Sequence, residues 1–173
     1  GSETTTPSIL AVSGSNAIVD WILVELRSAS NPNQIVATRA GLIQRDGDVV
    51  SPTDGTSALQ FTGVATGNYF VAIRHRNHLG AMSASPVTVG STTATVDLTN
   101  AAQPAYKLSG LTRSEYPQFV SGNKAMLWAG NAIMNNQIIF QGPNNDVDMI
   151  FFTIISNPLN TQAISNFIHR GYD

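Results

Sequence analysis

The chain has 173 residues, a formal net charge of −2, only 12% charged residues and no cysteine. This balance leaves no basic footprint for nucleic acid and no polybasic patch for a membrane surface. It also excludes disulfides, thiolate metal sites and a cysteine nucleophile. The length suits one domain or two small ones and is enough to bury a core. No apolar run approaches the ~20 residues of a membrane-spanning helix. Asn, Thr, Ser and Gly carry the polar surface, a composition common in extracellular β-modules. Gly1-Ser2 reads as a cloning remnant, so the lack of a leader peptide carries no information.

In chain order, Glu3 to Pro7 is a polar leader, and Ser8 to Val12 is short and apolar before Ser13-Gly-Ser-Asn16 interrupts. Ala17 to Ser28 predicts a long strand. Trp21, Leu23, Glu25 and Arg27 share one face, and Ile22, Val24 and Leu26 the other. Gln34 to Gln44 is the return strand, and Arg45-Asp-Gly-Asp48 a hairpin signal before Val49-Val50. Further strands are expected at Ala58 to Phe61, Asn68 to Arg76, Pro86 to Val89 and Thr93 to Leu98. Seven or eight short strands separated by turns predict an antiparallel sandwich.

Asn100 to Pro104 suits a linker, followed by one more strand at Lys124 to Trp128. An amide-rich loop then leads to a helix from about Val147 to Ile155, with Asn145 or Asp146 as its N-cap. Thr161 to Arg170 reads as a second helix stopped by Gly171. The first of these helices is apolar nearly all round. It is therefore expected to be sandwiched between the second helix and the β-domain. The organisation expected is a β-sandwich over residues 8–100 and a docked helical cap over residues 101–173.

Within the amide loop, Asn131, Asn135 and Gln137 stand at offsets 1, 5 and 7, with Ile138 at 8. Oxygen ligands at such offsets, and an apolar anchor at 8, form the skeleton of an EF-hand calcium loop. Offset 3 is Ile133, offset 6 is Asn136 and offset 12 is Gly142, so the nearest carboxylates are Asp146 and Asp148. Asn131 to Asp146, ending in Gln141-Gly-Pro-Asn-Asn-Asp146, resembles the dockerin-like repeat of large secreted proteins from gliding, polymer-degrading Gram-negative bacteria. Ala17 to Arg27 and Gly67 to Leu79 resemble the β-domain that precedes this repeat. The Gly-x-Tyr-x-Val-x-Ile strand at Gly67 to Ile73 is similar to prealbumin-like modules. The resemblance implies an immunoglobulin- or prealbumin-like sandwich at the cell surface, acting as an adhesive or accessory module.

Three constellations could carry chemistry. The loop would bind calcium weakly through Asn131, Asn135, the Gln137 carbonyl, and Asp146 or Asp148 folding back. Its alternative is a degenerate loop held by Asn side chains bonding main-chain groups. His75 and His78 could begin a zinc site, but His169 is the only other histidine, and a site needs three or four ligands. The bland reading has them bonding loop carbonyls. Glu25 and Arg27 beside Trp21, with Arg39, Arg74 and Arg76, form either a cross-strand ion-pair lattice or the polar flank of a sugar platform. A carbohydrate-binding module would expose Trp21, Tyr69 or Tyr116.

Catalytic motifs are lacking. There is no Gly-x-Ser-x-Gly, phosphate loop or His-Glu-x-x-His, and the pairs Asp46/Asp48 and Asp146/Asp148 lie in a turn and at a helix start. The reading is a non-catalytic, secreted structural, adhesive or docking module, monomeric when isolated. Its partner would be a protein or a cell-surface polysaccharide, its only cofactor calcium, and it would insert into no membrane. Carbohydrate binding in the service of a polysaccharide-degrading enzyme is the alternative.

Overall fold

The computed structural model describes residues 2–103, 105–107, 117–133 and 137–156. The expected second helix at 161–170 lies outside these residues, as do Tyr116, Asn135 and His169. The chain divides into two compact units. One comprises Gly1–His75 and Gly80–Trp128, the other Arg76–Leu79 and Ala129–Asp173.

The first unit is mainly antiparallel β. After a four-residue helix α1 (Pro7–Leu10) come β1 (Ile18–Ser28), β2 (Ile35–Gln44), β3 (Val49–Val50), β4 (Gly67–His75), β5 (His78–Met82) and β6 (Val87–Val89). These form a six-stranded sheet of order β3-β2-β1-β4-β5, with β6 paired to the start of β4. A two-stranded hairpin joins β7 (Gln118–Ser121) to β8 (Lys124–Leu127).

Alternation decides the central strands. β1 lies between β2 and β4, and residues opposite one another point to the same side. Leu23 faces Ala40 and Arg74, while Glu25 faces Thr38 and Ala72. One face therefore carries Trp21, Leu23, Glu25 and Arg27 with Leu42, Phe70, Ala72 and Arg74. The other carries Ile22, Val24 and Leu26 with Tyr69, Val71, Ile73 and His75. Leu42, Phe70 and Ala72 are buried on the first face, and Ile22, Val24 and Leu26 on the second. On the first face Phe70 packs edge-on against Tyr106, with ring centres 5.6 Å apart.

The hairpin at residues 45–48 forms where it was expected. Gln44 N–H donates to the Asp48 carbonyl at 2.8 Å, and Gly47 takes φ +102°, a conformation natural to glycine. β3 covers β2 only at Leu42 and Ile43, leaving the rest of β2 as an edge. Glu3 blunts that edge: its carboxylate accepts the Ala40 N–H at 3.3 Å and lies 3.5 Å from Arg39.

Two expected strands are not strands. Residues 58–61 and 93–98 run without ladder pairing, although Leu59, Val96 and Leu98 turn toward the second sheet face. Their apolar alternation specifies which side chains turn inward, and here irregular chain half-buries Leu59, Phe61, Val96 and Leu98. The supposed linker is also anchored. Ala101 N–H donates to the Asn123 carbonyl and Ala125 N–H to the Thr99 carbonyl, so Thr99–Ala101 runs beside β8. β5 and β7 were not anticipated, because each is short and has weak alternation.

In the second unit, α2 spans Asp146–Ile155. Asn145 is its N-cap: Oδ1 accepts the Asp148 N–H at 2.7 Å. Val147, Met149, Ile150, Phe151 and Phe152 are exposed. No described helix is long and apolar enough to cross a membrane.

Gly41 sits opposite Ile22 on the second face. A Cβ there would lie 2.9 Å from Val49 Cγ1 and 3.0 Å from Leu59 Cδ1. Gly41→Val should therefore destabilise by about 1–3 kcal/mol through overpacking, since Val49 is stiff at its branch point. Urea titration should show a lower midpoint with an unchanged slope.

Candidate functional site

The amide loop is organised by a carboxylate. Asp146, the first residue of α2, is 4% exposed. Its Oδ1 accepts the Ile133 N–H at 3.1 Å, and its Oδ2 accepts the Ile139 N–H at 2.8 Å. Its own N–H donates to the Ile139 carbonyl at 2.9 Å. Burial raises its pKa, but the N–H groups of Ile139, Ile133 and Ala132 outweigh this and hold it below the usual aspartate value. Asp146 thus ties helix start to loop at two points, 7 and 13 residues upstream.

Asn145 completes the junction. Its amide donates to the Gly142 carbonyl at 2.7 Å and to Asp148 Oδ2 at 2.8 Å. Asn144 adopts φ +58°, a left-handed conformation that asparagine tolerates better than most residues. The remaining candidate ligands are dispersed in role. Asn131 is buried with its amide 3.5 Å from the His78 carbonyl, whereas Gln137 is exposed. Among the described residues, no three acidic or histidine side chains come together as a metal-binding group.

The histidine pair separates. His75 Nε2 stands 3.0 Å from Asp20 Oδ2, and both side chains are mostly buried. His78 falls at the hairpin tip, where it bridges to Ala129. Gly130 N–H donates to the Asn77 carbonyl at 3.0 Å, which builds the tip into the second unit.

The charges beside Trp21 form a compact triad. Glu25 is 2% exposed, and its Oε2 accepts from Arg27 Nε at 2.8 Å and Nη2 at 2.5 Å. Arg74 Nη1 lies 3.6 Å from Oε1 across the strand pair. Arg27 also donates to the Pro32 carbonyl at 3.1 Å. Arg39 projects from the opposite face and donates to the Gln60 carbonyl at 3.0 Å.

Of the aromatic row expected of a sugar platform, Trp21 and Tyr69 lie on opposite faces, and Tyr116 is outside the described residues. Trp21 is 37% exposed on the first face, whereas Tyr69 projects from the second and donates its hydroxyl to the Ala65 carbonyl at 2.9 Å. A different aromatic cluster exists on the β7–β8 hairpin. Phe119 pairs with Met126, both substantially exposed, and its ring meets Trp128 edge-on at 5.2 Å. The signal was present in Lys124 to Trp128, where Met126 and Trp128 share a strand face. Without β7, the partner Phe119 could not be placed.

Removing Arg27 leaves the buried Glu25 carboxylate with only its longer contact to Arg74. Arg27→Met should cost about 3–5 kcal/mol, and the double variant with Glu25→Met should recover most of it. Denaturant titrations of both single variants and the double variant against wild type measure this directly. Asp146→Ala should cost about 2 kcal/mol or more by orphaning buried N–H groups, with faster amide exchange at Ile133 and Ile139. Because its folded pKa is lowered, Asp146 stabilises above the ordinary value of about 3.9. That contribution fades as pH falls through the folded value. Wild type should thus lose stability in acid that Asp146→Ala has already lost.

Comparison with protein-family models, characterised proteins and solved structures returns no match, so the functional reading rests on the geometry.

Proposed function

We propose that the chain is a non-catalytic structural or adhesive module of a larger secreted protein, built as a sandwich-like β-domain with a dockerin-like cap. One observation carries this reading: four of the described carboxylates are engaged by hydrogen-bond donors of their own loops and edges. Glu3, Asp54, Asp97 and Asp146 all have lowered pKa values. For Glu3 the main cause is its own main-chain N–H. The Ser57 hydroxyl, with the Ser57 and Thr56 N–H groups, holds Asp54 at about 2, and the Thr99 hydroxyl lowers Asp97. General acid catalysis needs the reverse, a carboxyl raised toward the working pH. Carboxylates fixed in their ionised form suit loop bracing in a scaffold. The low charge and absence of cysteine fit an extracellular setting that needs neither steering nor redox chemistry.

A second reading, carbohydrate binding, is favoured by the Phe119–Met126–Trp128 cluster. An exposed aromatic surface can receive the apolar face of a pyranose. On this reading the platform lies on the hairpin, away from Trp21 and Tyr69.

Retention assays separate the two. The tagged module, mixed with insoluble cellulose, chitin and xylan, should remain in the supernatant if it is structural. Retention on one polysaccharide, lost in Phe119→Ala without a change in melting temperature, would transfer the function to carbohydrate binding. Melting in millimolar calcium and in chelator should coincide, since both Asp146 oxygens already accept main-chain N–H groups. A calcium-dependent rise of about 1 kcal/mol or more would instead make metal-gated docking the mechanism.

A further inference from the structure

The second face of the sheet is incompletely filled. Between it and the irregular stretches around residues 58–66 and 89–98 lies a cavity of about 370 Å³. It is partly open to solvent and its surface is mixed, with polar atoms exposed beside the aliphatic ones, and an apolar cavity of about 150 Å³ is enough to bind benzene. Val24, Leu26, Val71 and Ile73 form the aliphatic floor. Thr92 and Thr93 stand exposed at the rim. Among the described residues, no charged side chain lines the space and Phe61 is its only aromatic.

We propose that this cavity binds a single neutral amphiphile with an aliphatic chain, independently of the structural role argued above. At about 30 Å³ per water-sized group, there is room for roughly a dozen non-hydrogen atoms. The aliphatic floor accepts the chain. The threonine hydroxyls accept or donate to an uncharged head such as an alcohol or amide. An ionised head would meet no charge among the lining side chains, since Arg39 beside Gln60 is engaged by the Gln60 carbonyl, Thr62 and Glu3, and desolvating it would cost affinity. A flat aromatic ligand would find only one ring against which to stack. Entry is through the cover, whose chain has no strand ladder to break.

The test is a titration of the intact chain with decan-1-ol and with decanoate at neutral pH, read by methyl NMR. The expected result is saturable shifts of the Val24, Leu26, Val71 and Ile73 methyls with decan-1-ol, and at least about tenfold weaker binding of decanoate. Ala94→Phe, which fills the space from the cover, should abolish the shifts. Thr92→Val with Thr93→Val, at exposed positions that leave the fold intact, should weaken decan-1-ol by about tenfold. Absence of saturable shifts up to the solubility limit would overturn the proposal. So would decanoate binding as tightly as decan-1-ol, or shifts that survive both the filling and the rim variants.

Discussion

One sheet with two apolar faces must be covered twice, and the first unit is arranged around that constraint. β1 has hydrogen-bonded neighbours on both edges and buried side chains on both faces. Its first face mixes Leu42, Phe70 and Ala72 with a fully engaged Glu25. Burying a carboxylate is tolerable only because Arg27 and Arg74 reach it while keeping partial access to water. The second face is aliphatic at Ile22, Val24 and Leu26 of β1, and its cover is mostly chain without regular pairing. Gly41 allows that cover to approach closely at one place, while the cavity shows that it does not do so throughout.

The second unit addresses a smaller version of the same problem. An amide-rich loop has many main-chain donors that need acceptors. Asp146 and Asn145 bond those groups from the start of α2, so helix initiation and loop closure become one event. Both oxygens of Asp146, one of the candidate ligands, accept main-chain N–H groups. The loop's EF-hand-like spacing therefore coexists with a hydrogen-bonded means of holding it together.

Much of the sheet was legible because β1, β2 and β4 combine long alternation with β-branched and aromatic residues. Asp-Gly at 46–47 marked the hairpin for a clear stereochemical reason. Residues 58–61 and 93–98 misled because alternating Leu, Val and Phe reports which side chains are buried, not whether the backbone finds a ladder partner. The N-cap of α2 could be read from Asn145 and Asp146. The partners of the Asp146 carboxylate could not, since Ile133 and Ile139 reach it through loop curvature rather than through a helical or strand period. The opposite placement of Trp21 and Tyr69 follows only from the register between β1 and β4. Each strand alone shows its own two faces but not how they match.

The turn Arg76–Leu79 is counted with the second unit although it lies inside the β4–β5 hairpin of the first. Its Asn77 and His78 carbonyls receive Gly130 and Asn131, so the later unit borrows a piece encoded about fifty residues earlier. No single cut in the chain yields the second unit whole. A genetic exchange that carried residues 129–173 into another protein would leave these donors without their acceptors. A fragment that keeps these hydrogen bonds has to carry residues 76–79 together with residue 129 onward.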